Sequence, residues 1–357
     1  MRGELLLAFE SSCDDSACAV LDREGRVLSS LVSSQLATHA RFGGVVPELA
    51  AREHIRNLPV VLEGAFKEAG ISRKDIGAVA ATFGPGLLGS LQVGLSVARG
   101  LAWQLRVPFF AVHHLAGHLV SPFLKRNQEA AEAIPESFVG LVLSGGHSCL
   151  FEVEGSRVST LAETRDDAFG EAFDKVGKRV GFPYPQGPYV DRWAERGDAR
   201  RAPLPFSGRS RELYFSYSGL KTEVAQALER LKQAGVPTQA VMEQDPPLAP
   251  EVLDLLAGFR ASAARQVLLR LNQLHRRRPI RLLAVSGGAA ANRLLRRELV
   301  TWAEAKQVEL RLVELVYAGD NAAMIGFAAL RRWLDGDPGD DPTAVEAVSR
   351  IPLSASA

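Results

Sequence analysis

The sequence predicts an α/β protein made of two related lobes that face each other across a ligand cleft. Three observations support this prediction. An apolar strand, a polar turn and a second apolar strand follow one another from Leu5 to Leu21. The same order returns from Phe138 to Val153, and a further strand with a Ser-Gly-Gly turn runs from Leu282 to Gly288. Internal similarity of this kind indicates a repeated unit whose polar loops line a cleft.

The composition is typical of a globular chain with room for two domains. Of the 357 residues, 46% are apolar and 23% are charged, and the net charge of +1 does not indicate a general polyanion-binding protein. The three cysteines contain no Cys-x-x-Cys pair, which is typical of a reducing compartment. No apolar run has membrane-spanning length, and Leu5 to Phe9 is too short for the centre of a signal peptide. We therefore expect a cytoplasmic protein that has no membrane partner.

Helical patterns lie between the strands. Start signals, stop signals and apolar residues at helical spacing predict helices from Pro47 to Ala69, from Ser90 to Leu105 and from Val252 to His275. A carboxylate-rich segment from Asp166 to Lys175 also has helical spacing, with Asp167, Glu171 and Asp174 on one face. That face is either solvated or turned to a ligand, and both interpretations stay open.

The polar segment from Lys125 to Glu136 is the expected boundary between the lobes. The first lobe is expected over residues 1–130, completed by a C-terminal helix at 320–335, and the second lobe over residues 131–319. Residues 336–357 begin with a stretch rich in Asp and Pro, which predicts a loose C-terminal tail.

Two histidines four residues apart form the most specific local chemical pattern. On a helix, the rings of His114 and His118 would lie on one face, close enough to bind one metal ion. Asp320 is the best distant third ligand, because it precedes an apolar helical run and would cap that helix. Two imidazoles and one carboxylate suit zinc or ferrous iron. The spacing alone also fits ordinary core histidines. A zinc peptidase of the H-E-x-x-H type is excluded, since position 115 is Leu.

Three glycine-rich loops follow predicted strands. The loop from Gly84 to Gly89 matches G-x-G-x-x-G, but no acidic residue lies between Leu91 and Val120, which disfavours a nicotinamide or flavin enzyme. The helix start in that loop could still accept an anion. The loops from Ser144 to His147 and from Ser286 to Asn292 could bind a phosphate through backbone amides, with Asn292 bonding a ribose or base. Together they favour a nucleotide cleft.

Taken together, these segments resemble the TsaD (formerly Gcp) family, the tRNA threonylcarbamoyladenosine transferases. The resemblance runs from Leu5 to about Leu330 and rests on motifs in a fixed order, which are Glu10 to Asp15, Gly43 to Glu48, Gly84 to Gly86, His113 to His118, Ser144 to His147, Asp166 to Lys175, Ser216 to Thr222, Ser286 to Asn292 and Asp320-Asn321. The departures from the family pattern are Ser11, Asp15 and Gln186. Gln186 replaces a glycine, which leaves open the backbone angle of the turn from Tyr184 to Pro188.

The family implies the fold shared by actin, the sugar kinases and the heat-shock ATPases (ASKHA), in which two lobes bind a nucleotide between them. It also implies one divalent metal ion, Fe²⁺ or Zn²⁺, held by His114, His118 and Asp320, and an adenylate or ATP in the cleft. Asp14 is the candidate for steering or deprotonating the attacking amine. The substrate-binding residues implied by the resemblance are Val142, Leu143, Ser144, Gly145, Gly146, Asp174, Gly187, Asp191 and Asn292.

The implied reaction transfers a threonylcarbamoyl group from threonylcarbamoyl-AMP to N6 of the adenosine 3′ of the anticodon, in tRNAs that read codons beginning with A. The implied partners are tRNA, a smaller TsaB-type paralogue and a TsaE-type ATPase. Two alternatives stay open on the same fold. One is a sugar or acid kinase, to which the His-His-Asp set would be superfluous, and the other is a non-enzymatic ATP-binding switch.

Overall fold

A computed structural model describes residues 3–205 and 212–353, and the chain divides by its internal contacts into two units. The first unit comprises Met1–Glu136, Gly155–Val158 and Val313–Ala357, and the second comprises Ser137–Glu154 and Ser159–Leu312. Each unit contains one five-stranded mixed sheet and the helices that pack on it. This arrangement confirms the predicted α/β class with two related lobes.

Strands and helices alternate along the chain as the apolar periodicities predict. The strands are β1 (Leu5–Glu10), β2 (Asp15–Leu21), β3 (Val27–Ser34), β4 (Ile76–Gly84), β5 (Phe109–His113), β6 (Ser137–Leu143), β7 (Ser148–Glu154), β8 (Arg157–Glu163), β9 (Leu282–Ser286) and β10 (Glu309–Leu312). The helices are α1 (Leu36–Ala40), α2 (Pro47–Ala69), α3 (Leu88–Leu105), α4 (His114–Val120), α5 (Phe169–Arg179), α6 (Gly187–Ala194), α7 (Ser218–Gln233), α8 (Pro250–Arg277), α9 (Arg293–Lys306) and α10 (Ala322–Leu334). Within the two described ranges, no helix combines the length and the apolarity that crossing a membrane requires.

The two sheets repeat one topology. The strand order is β3-β2-β1-β4-β5 in the first unit and β8-β7-β6-β9-β10 in the second. In the first unit, β1 pairs antiparallel with β2 and parallel with β4. In the second unit, β6 pairs in the same way with β7 and β9. The loop after β4 therefore corresponds to the loop after β9. The sequence suggests that Ser286-Gly287-Gly288 is a third copy of the loop between the first two strands, but this is wrong, because its counterpart in the first unit is Gly84-Pro85-Gly86.

Strand β1 is covered on both faces, which explains its unbroken apolar run. Leu7 and Phe9 belong to the core formed with α2 and α3. Leu6 and Ala8 lie on the other face, where a Cβ added at Gly326 of α10 would contact both. Because side chains alternate across a strand, this burial fixes the register of β1 and the position of the residues that follow it.

The carboxylate-rich segment is helical only from Phe169. Asp166 and Asp167 lie in the loop before α5, so the predicted face shared by Asp167, Glu171 and Asp174 is wrong for Asp167. Asp166 instead accepts hydrogen bonds from the Tyr217 amide at 2.7 Å and the Ser218 hydroxyl at 2.7 Å, at the start of α7. Its carboxylate satisfies amides that a helix start leaves without intrahelical partners.

The segment after α10 is bonded to the first sheet. The Asp340 amide donates to the Phe109 carbonyl at 2.7 Å, and the Val348 amide donates to the Phe83 carbonyl at 2.8 Å. Leu353 is buried. Residues 354–357, the end of the tail expected from the sequence, lie outside the described part of the chain.

Candidate metal centre and nucleotide pocket

Three side chains of the first unit that could together hold a metal ion converge on one point. The rings of His114 and His118 are 4.7 Å apart between centroids and nearly perpendicular, at 85°. Asp320 Oδ1 lies 3.6 Å from His114 Nε2 and 3.2 Å from His118 Nε2. One ligand atom from each residue falls within 4.8 Å of the others. The structure thus brings together the three residues that the sequence selected.

The two histidines are positioned by the β5–α4 junction. His113 ends β5 and caps α4, since its Nδ1 accepts the Leu115 amide at 3.1 Å. The helix then places His118 one turn after His114. On the other side, Asn321 and not Asp320 caps α10, because the Asn321 side chain accepts the Met324 amide at 3.0 Å. The expected capping role of Asp320 is therefore wrong, and its carboxylate faces the histidines.

The chemistry of this donor set fits a divalent transition metal. His118 is fully buried, and within the described residues neither of its ring nitrogens makes a hydrogen bond of good geometry. Leaving a buried polar atom unsatisfied costs about 1–3 kcal/mol. A nitrogen lone pair directed at a shared point, with a second nitrogen and a carboxylate oxygen beside it, is typical of a site for zinc or ferrous iron.

A buried carboxylate, Glu10, supports His114 from the side opposite the nitrogen that faces Asp320. The Nδ1–H of His114 donates to Glu10 Oε2 at 3.1 Å, and the Ser12 hydroxyl lies 3.2 Å from the same nitrogen. Thr82 also donates to Glu10 Oε2, at 2.6 Å. Such a carboxylate fixes the tautomer that leaves Nε2 free for a metal. Sequence reasoning missed this role of Glu10, because the two residues are 104 positions apart.

Protonation at the centre is governed by burial and by the carboxylates. Burial opposes a charged His114, but Asp320 and Glu10 outweigh it and raise the pKa of His114 to about 9. Burial lowers the pKa of His118, in spite of Asp320. In the metal-free protein the His114 ring is therefore protonated on both nitrogens at neutral pH. Metal binding must displace the proton on Nε2.

Asp14 lies in the β1–β2 turn and Asp15 begins β2, and both are partly buried. The Asp14 carbonyl accepts the Gln35 amide at 3.0 Å, which ties the turn to the end of β3. Burial raises the pKa of Asp15 to about 7, helped by the charges of Asp320, Asp14 and Glu10 and opposed by a hydrogen bond from Ser34. A carboxyl with a pKa near neutrality at the start of β2 could accept or release a proton, and sequence reasoning missed it.

Two amides of the loop from Gly84 to Gly89 are bonded to the chain's own backbone. The Leu87 amide donates to the Ser12 carbonyl at 2.7 Å, and the Gly86 amide donates to the Ser349 carbonyl at 3.3 Å. A Cβ at Gly84 would lie 2.3 Å from the Val348 carbonyl oxygen. Gly84 therefore serves close packing against the chain's own backbone, which favours a tight strand-to-helix turn over an anion site at this loop.

The second unit contains a pocket of about 400 Å³. Its apolar wall includes Phe169, Phe173, Pro185 and Pro188. Carboxylate, amide and glycine groups complete the lining, namely Gly145, Asp174, Gly187, Asp191 and Asn292, with Arg192 and Arg293 beside them. An apolar wall with a few converging polar groups is typical of a small-molecule site.

Asp174 organises the turn that borders this pocket. Its carboxylate accepts the Gly187 amide at 2.7 Å and a second bond from the Gln186 amide. Burial raises the pKa of Asp174, and these two amides oppose that effect. Gln186 has ordinary right-handed helical angles, with φ −81° and ψ −30°. The turn therefore needs no glycine at position 186, which settles the backbone angle that the sequence left open.

Asp191 is held between a buried arginine and a helix start. Arg260 Nη1 lies 3.2 Å from Asp191 Oδ1 and donates to the Asp191 carbonyl at 2.9 Å. The Arg293 amide donates to Asp191 Oδ2 at 3.1 Å. Arg260 is another residue that sequence reasoning missed, since it lies inside the long helix α8 with no motif around it.

The remaining residues of the expected substrate set lie at the end of β6. Val142 and Leu143 are fully buried, and Ser144 Oγ accepts the His147 amide at 3.1 Å. Gly146 is exposed. The pocket lining includes Gly145 but not these four, among the residues that the structure describes.

At Gly287, the loop after β9 packs directly against the backbone at the end of β6. Its φ is +91°, and a Cβ there would lie 2.2 Å from the Leu143 carbonyl oxygen. A left-handed angle and so close a backbone approach both require glycine. This contact places the Asn292 loop beside the Ser144 loop within the second unit.

Comparisons with known proteins agree with this geometry. A family model described as "TsaD: tRNA N6-adenosine threonylcarbamoyltransferase" matches residues 26–327. Proteins of that name from Synechococcus sp. (strain JA-3-3Ab) and Bordetella bronchiseptica are 41% and 43% identical to this chain. The first match covers 98% of this chain and 92% of the relative, and the second covers 92% and 91%.

A solved structure shows the fold independently. The activator of 2-hydroxyisocaproyl-CoA dehydratase from Clostridium difficile, with bound ADPNP, superposes with a TM-score of 0.52 at 13% identity. The match covers 93% of this chain and 96% of that one. It confirms the ASKHA fold predicted from the sequence.

Proposed function

This chain belongs to the TsaD family, the tRNA N6-adenosine threonylcarbamoyltransferases, and from that premise we propose that its donor is threonylcarbamoyl-AMP. The acceptor is N6 of the adenosine 3′ of the anticodon, in tRNAs that read codons beginning with A, and AMP is released. The observation that carries this proposal is the donor set of His114, His118 and Asp320. A kinase or an ATP-dependent switch on the same fold has no use for it.

We propose that the pocket of the second unit binds the AMP part of the donor. Its apolar wall suits the adenine ring, and the Asn292 amide suits the ribose or base. Asp174, Gly187 and Asp191 are proposed to contact the nucleotide together with the loop from Val142 to Gly146. The support is that Gly145, Asp174, Gly187, Asp191 and Asn292 line one pocket.

His114, His118 and Asp320 are proposed to hold Fe²⁺ or Zn²⁺. When bound, the ion supplies a Lewis acid for carboxylate and hydroxyl oxygens such as those of the threonyl group. Glu10 keeps the Nε2 lone pair of His114 directed at that position, by accepting the proton of Nδ1. These residues thus orient a substrate and need not activate water.

The reaction is aminolysis of an activated carbonyl. The N6 nitrogen forms a bond to the carbamoyl carbon, the bond from that carbon to the phosphate oxygen breaks, and AMP leaves. The leaving phosphate is a weak base and needs no strong acid. An aromatic amine is a poor nucleophile, so positioning dominates, and it can lower a barrier by roughly 7–11 kcal/mol. Asp14 is the proposed acceptor of the N6 proton.

The proposed partners follow from the family. Besides tRNA, they are a smaller TsaB-type paralogue and a TsaE-type ATPase, in the cytoplasm. The net charge of +1 supports the idea that other subunits complete the tRNA site.

The test is transfer of labelled threonine, supplied as fresh threonylcarbamoyl-AMP, into tRNA with the partner proteins present. Wild type should label a tRNA with adenosine 3′ of the anticodon, and should not label the same tRNA carrying guanosine there. His114→Ala and Asp14→Ala should abolish labelling, while Asp14→Ala keeps AMP binding. A wild-type protein that labels neither tRNA, or that phosphorylates a small metabolite instead, would refute the proposal.

A further inference from the structure

A second depression in the second unit is lined by cationic side chains. It has a volume of about 390 Å³ and is bordered by Lys175, Lys178 and Arg179 of α5 and by Lys221 of α7. We call these four residues the basic pocket. No step of the proposed reaction uses them.

Two of these cations are held in place by one carboxylate. The Lys221 ammonium lies 2.6 Å from Asp167 Oδ2, and Lys175 contacts Asp167 Oδ1. Lys175 also lies 2.8 Å from Glu171. Asp167 is itself buried, so it anchors both ammonium groups beside the depression. Two ordered ammonium groups on neighbouring helices reduce the entropy that binding an anion would cost.

The other two cations are at the rim. Lys178 and Arg179 are exposed in the last turn of α5. Within residues 3–205 and 212–353, neither has a carboxylate partner. Asp167 and Glu171 balance two of the four positive charges, which leaves a local excess of two. In a chain whose net charge is only +1, so concentrated an excess indicates an anionic ligand.

The lining favours a phosphate and not a whole nucleoside. Among the residues that the structure describes, the lining contains no aromatic ring for a base to stack on, whereas the 400 Å³ pocket has Phe169 and Phe173. Three of the four cations are lysines, whose ammonium groups act as point charges on phosphate oxygens. Contacts of this kind position a nucleic acid without reading its sequence.

We propose that the basic pocket binds a phosphate of the tRNA backbone. This proposal rests on the proposed function, because it takes tRNA to be the acceptor substrate. The chemistry recognised is a phosphate oxyanion, and the source to which we commit is a phosphodiester of tRNA and not a free phosphate or a nucleotide.

The experiment compares two double variants in the complete protein. Lys178→Ala/Arg179→Ala empties the rim of the basic pocket. Arg230→Ala/Lys232→Ala is the matched control, because it also removes one lysine and one arginine from the exposed last turn of a helix in the same unit. Net charge and the loss of helix-dipole stabilisation are thus equal in the two variants. Melting temperatures check that both are folded.

Binding of unmodified tRNA is measured over a series of KCl concentrations. The basic-pocket variant should raise Kd by about tenfold and lower the slope of log K against log salt by about one for each lost phosphate contact. The control should match wild type. AMP affinity should be the same in all three proteins. Equal tRNA binding by the two variants would overturn the proposal.

Two further measurements distinguish a failure of the basic-pocket proposal from a failure of the proposed function. If inorganic phosphate protects wild type but not the basic-pocket variant against thermal unfolding, while tRNA binding is unchanged, the pocket belongs to a small anion and the proposal is wrong. If wild type binds tRNA through these cations but does not transfer the threonylcarbamoyl group, the pocket stands and the proposed donor fails.

Discussion

Glu10 and His114 form a buried pair in which the carboxylate Oε2 lies 3.1 Å from the imidazole Nδ1. The pair keeps a proton on Nδ1 of His114 and leaves Nε2 facing His118 and Asp320. Burial alone would raise the pKa of Glu10, but His114 outweighs burial and lowers it, so the carboxylate is charged at neutral pH. The carboxylate that orients His114 is thus already in place in the protein itself.

The first prediction concerns this pair. Glu10→Gln should weaken metal affinity by roughly 10- to 100-fold, because the charge that orients His114 and increases its basicity is lost. Competition with a chromophoric chelator measures the affinity without any activity assay. Glu63→Gln makes the same change at an exposed site of the same unit and should have no effect. Equal affinities in the two variants would show that Glu10 does not support the metal.

The second prediction compares two fully buried histidines. His54 has both ring nitrogens bonded, to the Ser16 hydroxyl at 2.7 Å and the Cys13 carbonyl at 3.0 Å, whereas those of His118 have no bond of good geometry within the described residues. In metal-free protein, His118→Leu should leave stability unchanged or raise it by about 1 kcal/mol, and His54→Leu should lower it by about 1–3 kcal/mol.

The same two variants should separate in metal binding. His118→Leu should lose the metal, and His54→Leu should keep it whenever it is folded. Urea unfolding after chelator treatment gives the stabilities, and metal analysis of the dialysed proteins gives the occupancy. Equal stability losses, or a His118→Leu variant that retains metal as wild type does, would contradict the assignment.

The third prediction concerns the pH dependence of stability through Asp15. Its pKa in the folded state is about 7, above the ordinary value of 3.8, mainly because of burial. Between those values the folded state binds more protons than the unfolded state, so this residue makes stability fall as pH rises from 4 to 7. Asp15→Asn should remove that fall, gaining roughly 3–4 kcal/mol over wild type at pH 7 relative to pH 4, because each pKa unit corresponds to about 1.4 kcal/mol.

The measurement for Asp15 is urea unfolding of metal-free protein at several pH values. Asp22→Asn is the control, since Asp22 lies in the turn after β2 and pairs with Arg26 at 2.9 Å. Parallel stability curves for wild type and Asp15→Asn would show that Asp15 has an ordinary pKa.

The fourth prediction concerns the support of Asp191. Arg260→Met removes a buried cation that contacts Asp191 and Glu195. It should cost about 3–5 kcal/mol of stability, because it leaves Asp191 buried without its charge partner. AMP affinity should fall as well, and Arg260→Lys should restore part of both losses.

Arg297→Met is the comparison for Arg260. Arg297 also contacts Glu195, at 3.1 Å, but 57% of its side chain is exposed. A pair of this kind contributes about 0–1 kcal/mol. Urea unfolding and calorimetric titration with AMP check both variants, and an Arg260→Met protein as stable as Arg297→Met would refute the positioning role.

The sequence by itself determined the features that depend on local spacing. Apolar periodicity indicated the strands and helices, because side chains alternate on a strand and recur every third or fourth position on a helix. The four-residue spacing of His114 and His118 fixed their shared face for the same reason. The repeated strand-turn-strand pattern likewise predicted two related lobes.

Only the tertiary structure decided which distant groups meet. Glu10 behind His114, Arg260 beneath Asp191 and the C-terminal segment against Gly84 involve partners far apart in the chain, and no local period links them. Asp320 was found from its helix-start context, yet the cap proved to be Asn321. The physical reason is that such pairings are set by the packing of whole elements and by the cost of leaving buried polar groups unsatisfied, which act only once the chain is folded.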